Sequence, residues 1–386
     1  MALVLNGRLT ADDVASMTIV FLIQDTGSMY GAERATLDLV LGLQSRGIEV
    51  AVVFIQENRL SEAPGPLVNV FKSAGIAIRS RPVQGRLSWN VINDIRDVMS
   101  SYHLPILHTI GYKADIHGCL ASHGGRLFPV VSTVHGWLFR PKPKELFYQW
   151  LNIAALKRYT RVIALSRWYE QYLVNKGISR VVHIPAGIDP DAIASTSEAS
   201  KLYADESVPF TFGMLGRLSW EKNQSLFLRA ISTLPQSNMV AKARFLIAGE
   251  GPDRPRLEEE IVRLRLSQSV EMKGFMNSSD FFRQVHVLVQ CSRMENLSYS
   301  MMESMVWMRP VIASDAGGSS DLIQDGVSGC LIKKGDVASL SDKLLLYINQ
   351  KDLYEVHGRM GRQHLVKFFA RQKSIDRHIE LYAKIL

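Results

Sequence analysis

Two glutamates in the second half of the chain are spaced so that both could serve one site. Glu295 and Glu303 are separated by seven residues in RMENLSYSMMESMVWMRP. The run 299–306 predicts a helix, with Glu295 in the loop at its N-terminus and Glu303 two turns further on, partly buried among Met, Ser and Val. A partly buried carboxylate needs donors, which sugar hydroxyls supply, and the free N–H groups of a helix start suit a phosphate. An ordinary amphipathic helix with an acidic residue near its start would show the same pattern.

Two basic residues lie in a predicted strand-to-helix loop, within GMLGRLSWEKN. Arg217 offers a planar fork of donors and Lys222 a mobile point charge, and together they could neutralise a diphosphate. Basic residues at a helix start oppose the helix dipole, which favours an anion beside them. Two solvated basic side chains are the alternative.

Glycines follow several predicted strands of the second half. They are Gly216, Gly249 in IAGEGP, Gly274 in MKGF, and the pair Gly317 and Gly318. Because glycine lacks a Cβ atom, backbone at such positions can approach a ligand closely. The base of a nucleotide could lie against Gly274 and the adjoining Phe275. Plain turn chemistry would use the same residues.

Three features of the first half concern a ligand or a metal. His135, in STVHGW, comes just after a predicted strand, where ligands of open parallel sheets bind, although a structural histidine is equally compatible. Gly31, in TGSMYGAER, enters a helix but lacks the spacing of a dinucleotide fingerprint. Asp189 and Asp191 have the Asp-x-Asp form, and we interpret them as a turn and predict no metal site.

Length and composition predict a globular protein of two domains. The chain has 386 residues, with 47% hydrophobic and 21% charged, which exceeds one ordinary core. No apolar run approaches the roughly 20 residues that span a bilayer, and the N-terminus does not have the form of a secretory signal. Cys119, Cys291 and Cys330 are far apart, which argues against disulfides or a cysteine zinc site. We therefore expect a cytoplasmic protein.

The net charge of +8 is concentrated in the first half, where residues 1–190 carry 20 Lys and Arg against 14 Asp and Glu. Solubility explains a modest excess of this kind. An anionic membrane surface is a candidate partner, because basic residues near an anionic leaflet are attracted to it. No nucleic acid is expected, since no recognition motif is present.

Apolar runs alternate with amphipathic segments along the whole chain, which predicts an α/β fold with parallel sheets and helices on both faces. Residues 186–208 interrupt this alternation and are interpreted as a linker, after which the same architecture restarts. Three segments of the first half are interpreted as loops. They are Gln56–Leu67, Arg79–Trp89 and Leu138–Lys144, the last with apolar and basic residues that could touch lipid.

Taken in order, these segments resemble the retaining glycosyltransferases of family 4, from about Met17 onward. GAERATLDLVLGLQSRGIEV is similar to that family's first loop and helix, and HIPAGID to its domain-end signature. GRLSWEKN, IAGEGPDRPRLE, the Glu295–Glu303 pair and GGSSDLIQDGVSGCLI are similar to its donor-site series.

The resemblance implies a GT-B fold of two Rossmann-like domains facing a cleft. Residues 1–188, with a C-terminal helix 371–386 packed back on them, would form the acceptor domain, and residues 189–370 the donor domain. Transfer would retain the anomeric configuration and need neither cofactor nor metal. The partners would be a nucleotide-sugar, UDP- or GDP-linked, and a glycan or lipid-linked saccharide used in cell-surface polysaccharide such as lipopolysaccharide. The enzyme would be peripheral at the inner face of the plasma membrane.

The resemblance also assigns roles to residues. Arg217 and Lys222 would bind the donor diphosphate, Glu303 the ribose and Glu295 the transferred sugar, with His135 across the cleft. The rest of the donor site would be formed by Gly31, Gly216, Gly249, Gly274, Phe275, Asn296, Leu297 and Ser298.

Two departures from the family pattern bear on this assignment. Tyr30 stands before Gly31 where paired glycines are common, so close approach of this loop to phosphate is in question. Asn296 follows the first glutamate where glycine is common, and its side chain could bias sugar choice. The alternatives are a nucleotide-sugar epimerase of the same fold and a non-catalytic partner subunit, both disfavoured by the presence of all four charged residues.

Overall fold

The computed structural model describes residues 16–25, 27, 31–57, 65–83, 85, 87–137, 142–200, 209–235 and 243–386. The chain divides into two compact units. Unit 1 runs to Gly187 and includes Arg371–Leu386, and unit 2 spans Ile188–Ala370. Each unit contains one parallel sheet with helices, which confirms the predicted α/β class.

Unit 1 has a seven-stranded parallel sheet in the order β3-β2-β1-β4-β5-β6-β7. Its strands are β1 (Thr18–Asp25), β2 (Glu49–Glu57), β3 (Ala77–Val83), β4 (Pro105–Ile110), β5 (Val130–Val134), β6 (Arg161–Ala164) and β7 (Val181–His183). Its helices are α1 (Gly31–Ser45), α2 (Pro66–Ser73), α3 (Trp89–Ser100), α4 (Tyr112–Ala121), α5 (Pro143–Leu156), α6 (Arg167–Asn175) and the C-terminal α16 (Arg371–Ala383).

Unit 2 has a six-stranded parallel sheet in the order β10-β9-β8-β11-β12-β13. Its strands are β8 (Phe210–Leu215), β9 (Ala243–Ala248), β10 (Val270–Gly274), β11 (Val287–Gln290), β12 (Val311–Ser314) and β13 (Gly329–Ile332). Its helices are α7 (Pro190–Ile193), α8 (Thr196–Ser200), α9 (Gln224–Ser232), α10 (Arg254–Arg263), α11 (Ser278–Phe282), α12 (Tyr299–Val306), α13 (Ser319–Leu322), α14 (Val337–Asn349) and α15 (Lys351–Phe368).

Central strands are apolar runs because both faces of each sheet are covered. In β1, TIVFLIQD, only Gln24 is not buried, which is the pattern of a parallel strand between two helix layers. Ser88 and Ser166 begin α3 and α6, and each hydroxyl accepts a hydrogen bond from a backbone N–H of the first turn. The sheets are therefore fixed by burial and the helix starts by capping.

Two interpretations from the sequence are wrong. Residues 79–83, interpreted as part of a loop, belong to the edge strand β3, whose Arg81 forms an ion pair with Asp94 of α3 at 2.6 Å. A charged edge strand lacks the apolar pattern that identifies a buried one. The linker 186–208 contains α7 and α8, and the Asp189 side chain caps α7 by accepting from the backbone N–H of Ala192. Both helices are too short to show a periodicity.

Other loop segments are only partly described. Gln56 and Glu57 end β2, Pro66 and Leu67 begin α2, and α5 begins at Pro143. Residues 58–64 and 138–141, which make up more than half of the predicted loops 56–67 and 138–144, lie outside the described residues, as does Tyr30.

Helix α16 is joined to the sheet of unit 1 by buried hydrogen bonds. The hydroxyl of Tyr382 lies 2.6 Å from Nδ1 of His108 on β4, and Nε2 of His108 lies 2.8 Å from Oγ1 of Thr133 on β5. Ser374 donates to the carbonyl of Pro185. The C-terminal helix is therefore an integral part of unit 1.

Candidate functional site

The strand order of unit 2 creates a point where the chain direction across the sheet reverses. From the central strand β8, successive strands extend to one side through β9 and β10, and the chain then returns to place β11 on the other side. Open α/β sheets bind ligands beyond the carboxyl ends of the strands at such a switch point. The loops that follow β8 and β11 here are 216–223 and 291–298.

An ion pair joins these two loops. Nζ of Lys222, from the loop after β8, lies 2.8 Å from Oε2 of Glu295, from the loop after β11. Gln290 and Ser292 donate to the same carboxylate oxygen at 3.1 Å and 2.8 Å. Two of the residues predicted from sequence thus come together at the switch point.

The Glu295 carboxylate is held ionised by these neighbours. Burial acts to raise its pKa, but the charge of Lys222 and the hydrogen bonds from Lys222, Ser292 and Gln290 outweigh burial and lower the pKa below its ordinary value. At neutral pH the group is therefore an acceptor of hydrogen bonds only. Such a group can receive the hydroxyls of a sugar.

Residues that the sequence analysis did not single out brace the loop that carries Lys222. The guanidinium of Arg293 lies over the ring of Trp220 at 4.9 Å and donates to Oδ1 of Asn223 at 2.7 Å. Asn223 has a left-handed backbone conformation (φ 55°) just before α9. Asparagine tolerates this conformation better than most residues, which was the one signal in the sequence.

Three glycines form a row where β8, β9 and β10 end. The N–H of Gly216 donates to the carbonyl of Ala248, and the N–H of Gly249 donates to the carbonyl of Gly274 at 2.6 Å. A Cβ atom on Gly249 would lie 2.0 Å from the carbonyl oxygen of Gly216. Glycine is required there because backbone contacts backbone directly.

The loop after β11 is fixed to the loop after β12. The N–H of Glu295 donates to the carbonyl of Ala316, and the N–H of Gly318 donates to the carbonyl of Glu295. A Cβ atom on Gly317 would lie 2.0 Å from that same carbonyl oxygen. The backbone beneath the Glu295 carboxylate is thus held from both sides.

The remaining predicted residues of unit 2 lie on the loop after β11, on α12 and just after β8 and β10. Asn296 and Ser298 are buried, Leu297 is partly buried, and the Ser298 hydroxyl caps α12. Glu303, on α12, is buried, as the sequence indicated. Two exposed side chains complete the set: Arg217 follows β8, and Phe275, 79% exposed, follows β10.

His135 and Gly31 belong to unit 1, and each lies on the chain after a parallel strand, as the predicted residues of unit 2 do. His135 comes directly after β5, and Gly31 is the first residue of α1. His135 lines a small cavity of about 20 Å³ together with Thr133, Arg371 and His378. Burial lowers the pKa of His135 to about 4, so the ring is neutral at pH 7 and can exchange hydrogen bonds without carrying charge.

Two further histidines lie beside this space and were not identified from the sequence. His378 of α16 is buried, its Nδ1 lies 2.8 Å from the carbonyl of Ser374, and burial lowers its pKa to about 4. The ring of His108 stacks on that of His378 at 6.1 Å. Nothing in the sequence connects positions 108, 135 and 378, which only the fold brings together.

Within the described ranges, no group of three or more His, Cys, Asp or Glu side chains is arranged to hold a metal ion. No helix in the part of the chain that the structure describes is both long and apolar enough to cross a bilayer.

Two family models match the chain in tandem. The model described as "Glycosyltransferase Family 4" matches residues 29–192, and the model "Glycosyl transferases group 1" matches residues 197–364. The first covers much of unit 1, and the second covers most of unit 2, including the switch point.

Individual proteins agree with the family models. A galactosyltransferase of Escherichia coli, named for UDP-Gal and α-D-GlcNAc-diphosphoundecaprenol, is 26% identical over 76% of this chain and 80% of its own length. The lipopolysaccharide core mannosyltransferase LpcC of Rhizobium leguminosarum bv. viciae is 25% identical over 62% of this chain and 68% of its own.

Solved structures carry the same fold. HepE of Anabaena, crystallised in complex with UDP, superimposes with a TM-score of 0.79 at 21% identity, covering 95% of this chain and all of HepE. The two family models, the relatives and the paired parallel sheets agree, and the chain belongs to the family 4 type of GT-B glycosyltransferases.

Proposed function

We propose that this glycosyltransferase moves a hexose from a UDP- or GDP-sugar to a glycan or lipid-linked saccharide, with retention of the anomeric configuration. The observation that carries the proposal is the Lys222–Glu295 ion pair at the switch point of unit 2. It combines a cation for phosphate and an ionised acceptor for sugar hydroxyls in one place.

The ion pair is suited to being exchanged when the donor binds. Glu295 also receives hydrogen bonds from Gln290 and Ser292, so it stays partly satisfied if the Lys222 ammonium turns to the diphosphate. Arg217 is exposed beside the same strand end and adds a second positive charge. The row of Gly216, Gly249 and Gly274 lets the diphosphate and base approach backbone, and Phe275 offers an exposed ring to the base.

The proposed reaction exchanges one bond at the anomeric carbon for another. The bond from C1 of the sugar to the diphosphate oxygen breaks, and a bond from C1 to the acceptor hydroxyl forms on the same face. The acceptor proton passes to the leaving diphosphate. Arg217 and Lys222 stabilise the charge that develops on this group, and preorganised charge of this kind is usually the largest catalytic contribution. In unit 2, Glu295 holds the sugar and Glu303 holds the ribose, while the neutral ring of His135 in unit 1 is a further proposed sugar-binding group.

Acceptor and location follow from what the relatives are named for. One is named for a diphosphoundecaprenol-linked sugar and another for the lipopolysaccharide core. We extend this to the present chain as a role in cell-surface polysaccharide synthesis, at the cytoplasmic face of the plasma membrane. The basic excess of residues 1–190 supports attraction to its anionic lipids.

We also propose that transfer needs no metal and no other cofactor, because Arg217 and Lys222 supply the positive charge that the leaving diphosphate requires. Addition of EDTA should then leave both nucleotide binding and turnover unchanged. A loss of activity that magnesium or manganese restores would refute this part.

The test of the donor is thermal stabilisation of the full chain by UDP, GDP, ADP and their sugars, with and without EDTA. A ligand at 100 times its Kd adds about 2.7 kcal/mol to the free energy of unfolding. We expect a shift with UDP or GDP and none with ADP. NMR of the product from the matching sugar should show the donor's anomeric configuration. Failure of every nucleotide to shift the melting temperature would favour the non-catalytic partner subunit.

A further inference from the structure

Helix α5 of unit 1 exposes an apolar stripe that its own unit leaves uncovered. Leu146, Phe147 and Trp150 are 57%, 54% and 60% exposed. The rings of Phe147 and Trp150 stack at 6.2 Å and form one continuous apolar surface. With 3.6 residues per turn, these three side chains project from the same side of the helix.

The opposite face of α5 is held firmly, so this exposure does not come from a loosely attached helix. The Asn152 side chain donates to Oδ2 of the buried Asp115 and accepts from Nε1 of Trp137 at 2.7 Å. Asn152, Ala155 and Leu156 are buried. The stripe is therefore a fixed outward surface of unit 1.

Basic residues stand at both ends of the stripe. Lys142 and Lys144 precede it and Lys157 and Arg158 follow it, and all four are exposed. The single acidic residue of the segment, Glu145, accepts the backbone N–H of Lys142 at 2.7 Å and so caps the helix start. The segment 142–158 thus combines an apolar centre with a net charge of +3, from four basic residues and one acidic residue.

We infer that α5 docks on an anionic lipid bilayer, lying in the plane of its surface. The apolar stripe would enter the boundary of headgroups and acyl chains, where tryptophan is favoured, while the basic ends contact lipid phosphates. A second copy of the chain fits less well, because two such faces would bring their basic ends together. The inference rests on the proposed function only in placing the acceptor at a membrane, and lipid binding can be measured without sugar transfer.

The position of α5 in unit 1 is consistent with an acceptor that reaches the protein from the membrane. Helix α5 follows β5, so its N-terminal end lies at the carboxyl edge of the sheet of unit 1, where His135 also lies. Docking through Leu146, Phe147 and Trp150 would place this edge of unit 1 next to the membrane surface.

The experiment is flotation of the full chain with vesicles of phosphatidylcholine alone and with about 30% phosphatidylglycerol, a fraction chosen to mimic an anionic leaflet. The wild type should float with the anionic vesicles only. The variant Leu146→Ser/Phe147→Ser/Trp150→Ser should lose at least tenfold of this binding. The variant Lys142→Glu/Lys144→Glu should also bind the anionic vesicles more weakly than the wild type, by roughly fivefold for each positive charge removed.

The matched control replaces three exposed apolar residues elsewhere, Leu127→Ser/Val262→Ser/Val356→Ser, and should float like the wild type. The inference is overturned if the α5 variant floats as well as the wild type, or if the wild type binds neither vesicle. It is also overturned if the α5 variant abolishes a concentration-dependent dimer instead. Nucleotide should still raise the melting temperature of the α5 variant, because the substitutions lie outside the proposed donor site. A loss of lipid binding with nucleotide binding intact therefore tests the membrane inference separately from the donor site.

Discussion

At the scale of single residues, the proposed donor site is centred on one ion pair. Lys222 and Glu295 satisfy each other at 2.8 Å, with side chains 25% and 12% exposed. Leaving either charge unpaired in so enclosed a place would be costly. Pairing therefore offsets the cost of enclosing both charges, and under the proposed function a diphosphate and a sugar would give each member a new partner.

Replacing Lys222 with alanine tests this exchange. We expect turnover to fall about 100- to 1,000-fold, as when a preorganised electrostatic contact to the transition state is removed. The pKa of Glu295 should rise, because its nearest positive charge is gone. Measurement of kcat over a range of pH would show both effects.

Glu303→Ala should also reduce turnover greatly while the protein stays folded.

The control is Arg359→Ala, which removes an exposed pair with Glu355 on α15. Exposed pairs contribute about 0–1 kcal/mol, so this variant should be fully active. Activity like the wild type in Lys222→Ala would refute the assignment of the donor site.

Residue types could be predicted from the sequence, but their pairing could not. Lys222 and Glu295 stood out because each is a charged residue beside a predicted helix start. They lie 73 positions apart, and no local pattern shows that their loops are neighbours. Arg293 and Ser292 were passed over because their roles, bracing and donation to Glu295, exist only once β8 and β11 are adjacent.

At the scale of elements, backbone contacts between strand ends position the site. Gly216, Gly249 and Gly274 end three neighbouring strands, and the carbonyl of Gly216 occupies the space where a side chain on Gly249 would begin. The loop with Lys222 starts at Gly216. The separation of β8 from β9 therefore sets where the lysine emerges.

Gly249→Ala should destabilise the protein and weaken donor binding together. The φ of 143° disfavours alanine, and the new Cβ would lie 2.0 Å from the Gly216 oxygen. Positive-φ strain costs about 1–3 kcal/mol and the clash adds to it. Urea unfolding and nucleotide titration would measure both effects.

Gly216→Ala separates these two causes. Gly216 has a comparable φ of 151°, yet the atom nearest to an added Cβ would be Cε of Lys222 at an ordinary 3.8 Å. It should therefore lose less stability than Gly249→Ala. Equal losses would mean that backbone strain alone matters and that the contact between β8 and β9 does not.

Elements with a buried apolar pattern could be predicted, and those held by polar contacts could not. β1 and β2 were predicted from continuous apolar runs, and the longer helices of unit 2, such as α9, α10 and α12, from apolar residues at helical spacing. β3 was missed because Arg79 and Arg81 make it polar; it is a strand because its backbone pairs in parallel with β2, and the ion pairs with Asp94 hold its arginines. α7 was missed because one turn, capped by Asp189, is too short for periodicity.

At the scale of the whole molecule, the two units repeat one strand order but bury different polar groups. Unit 2 buries the ionised Glu295 with its donors. Unit 1 buries neutral histidines, since burial lowers the pKa of His135 and His378 to about 4. Burial also raises the pKa of Asp115 to about 6, against the hydrogen bonds that it accepts. These groups of unit 1 should therefore contribute to the response of stability to pH.

The signs of these contributions differ. Between pH 6.5 and 4 the unfolded chain protonates His378 while the folded chain does not, so this group lowers the free energy of unfolding as pH falls. Between pH 6 and 3.8 the folded chain holds a proton on Asp115 that the unfolded chain releases, so Asp115 acts in the opposite direction. The pKa is lowered for four histidines of unit 1, His108, His117, His135 and His378, and raised for one aspartate, so unit 1 should lose stability on acidification.

His378→Asn isolates one of these groups, because asparagine can still donate to the Ser374 carbonyl but cannot be protonated. Near pH 5, one group that titrates only in the unfolded chain contributes a slope of about 1.4 kcal/mol per pH unit. We expect the plot of unfolding free energy against pH to be shallower by about that amount in His378→Asn, and steeper in Asp115→Asn. The slopes are compared in urea titrations at several pH values, so a general loss of stability in either variant does not affect the test. Parallel plots for His378→Asn and the wild type would mean that this histidine is already protonated in the folded protein, and that helix α16 carries a buried charge.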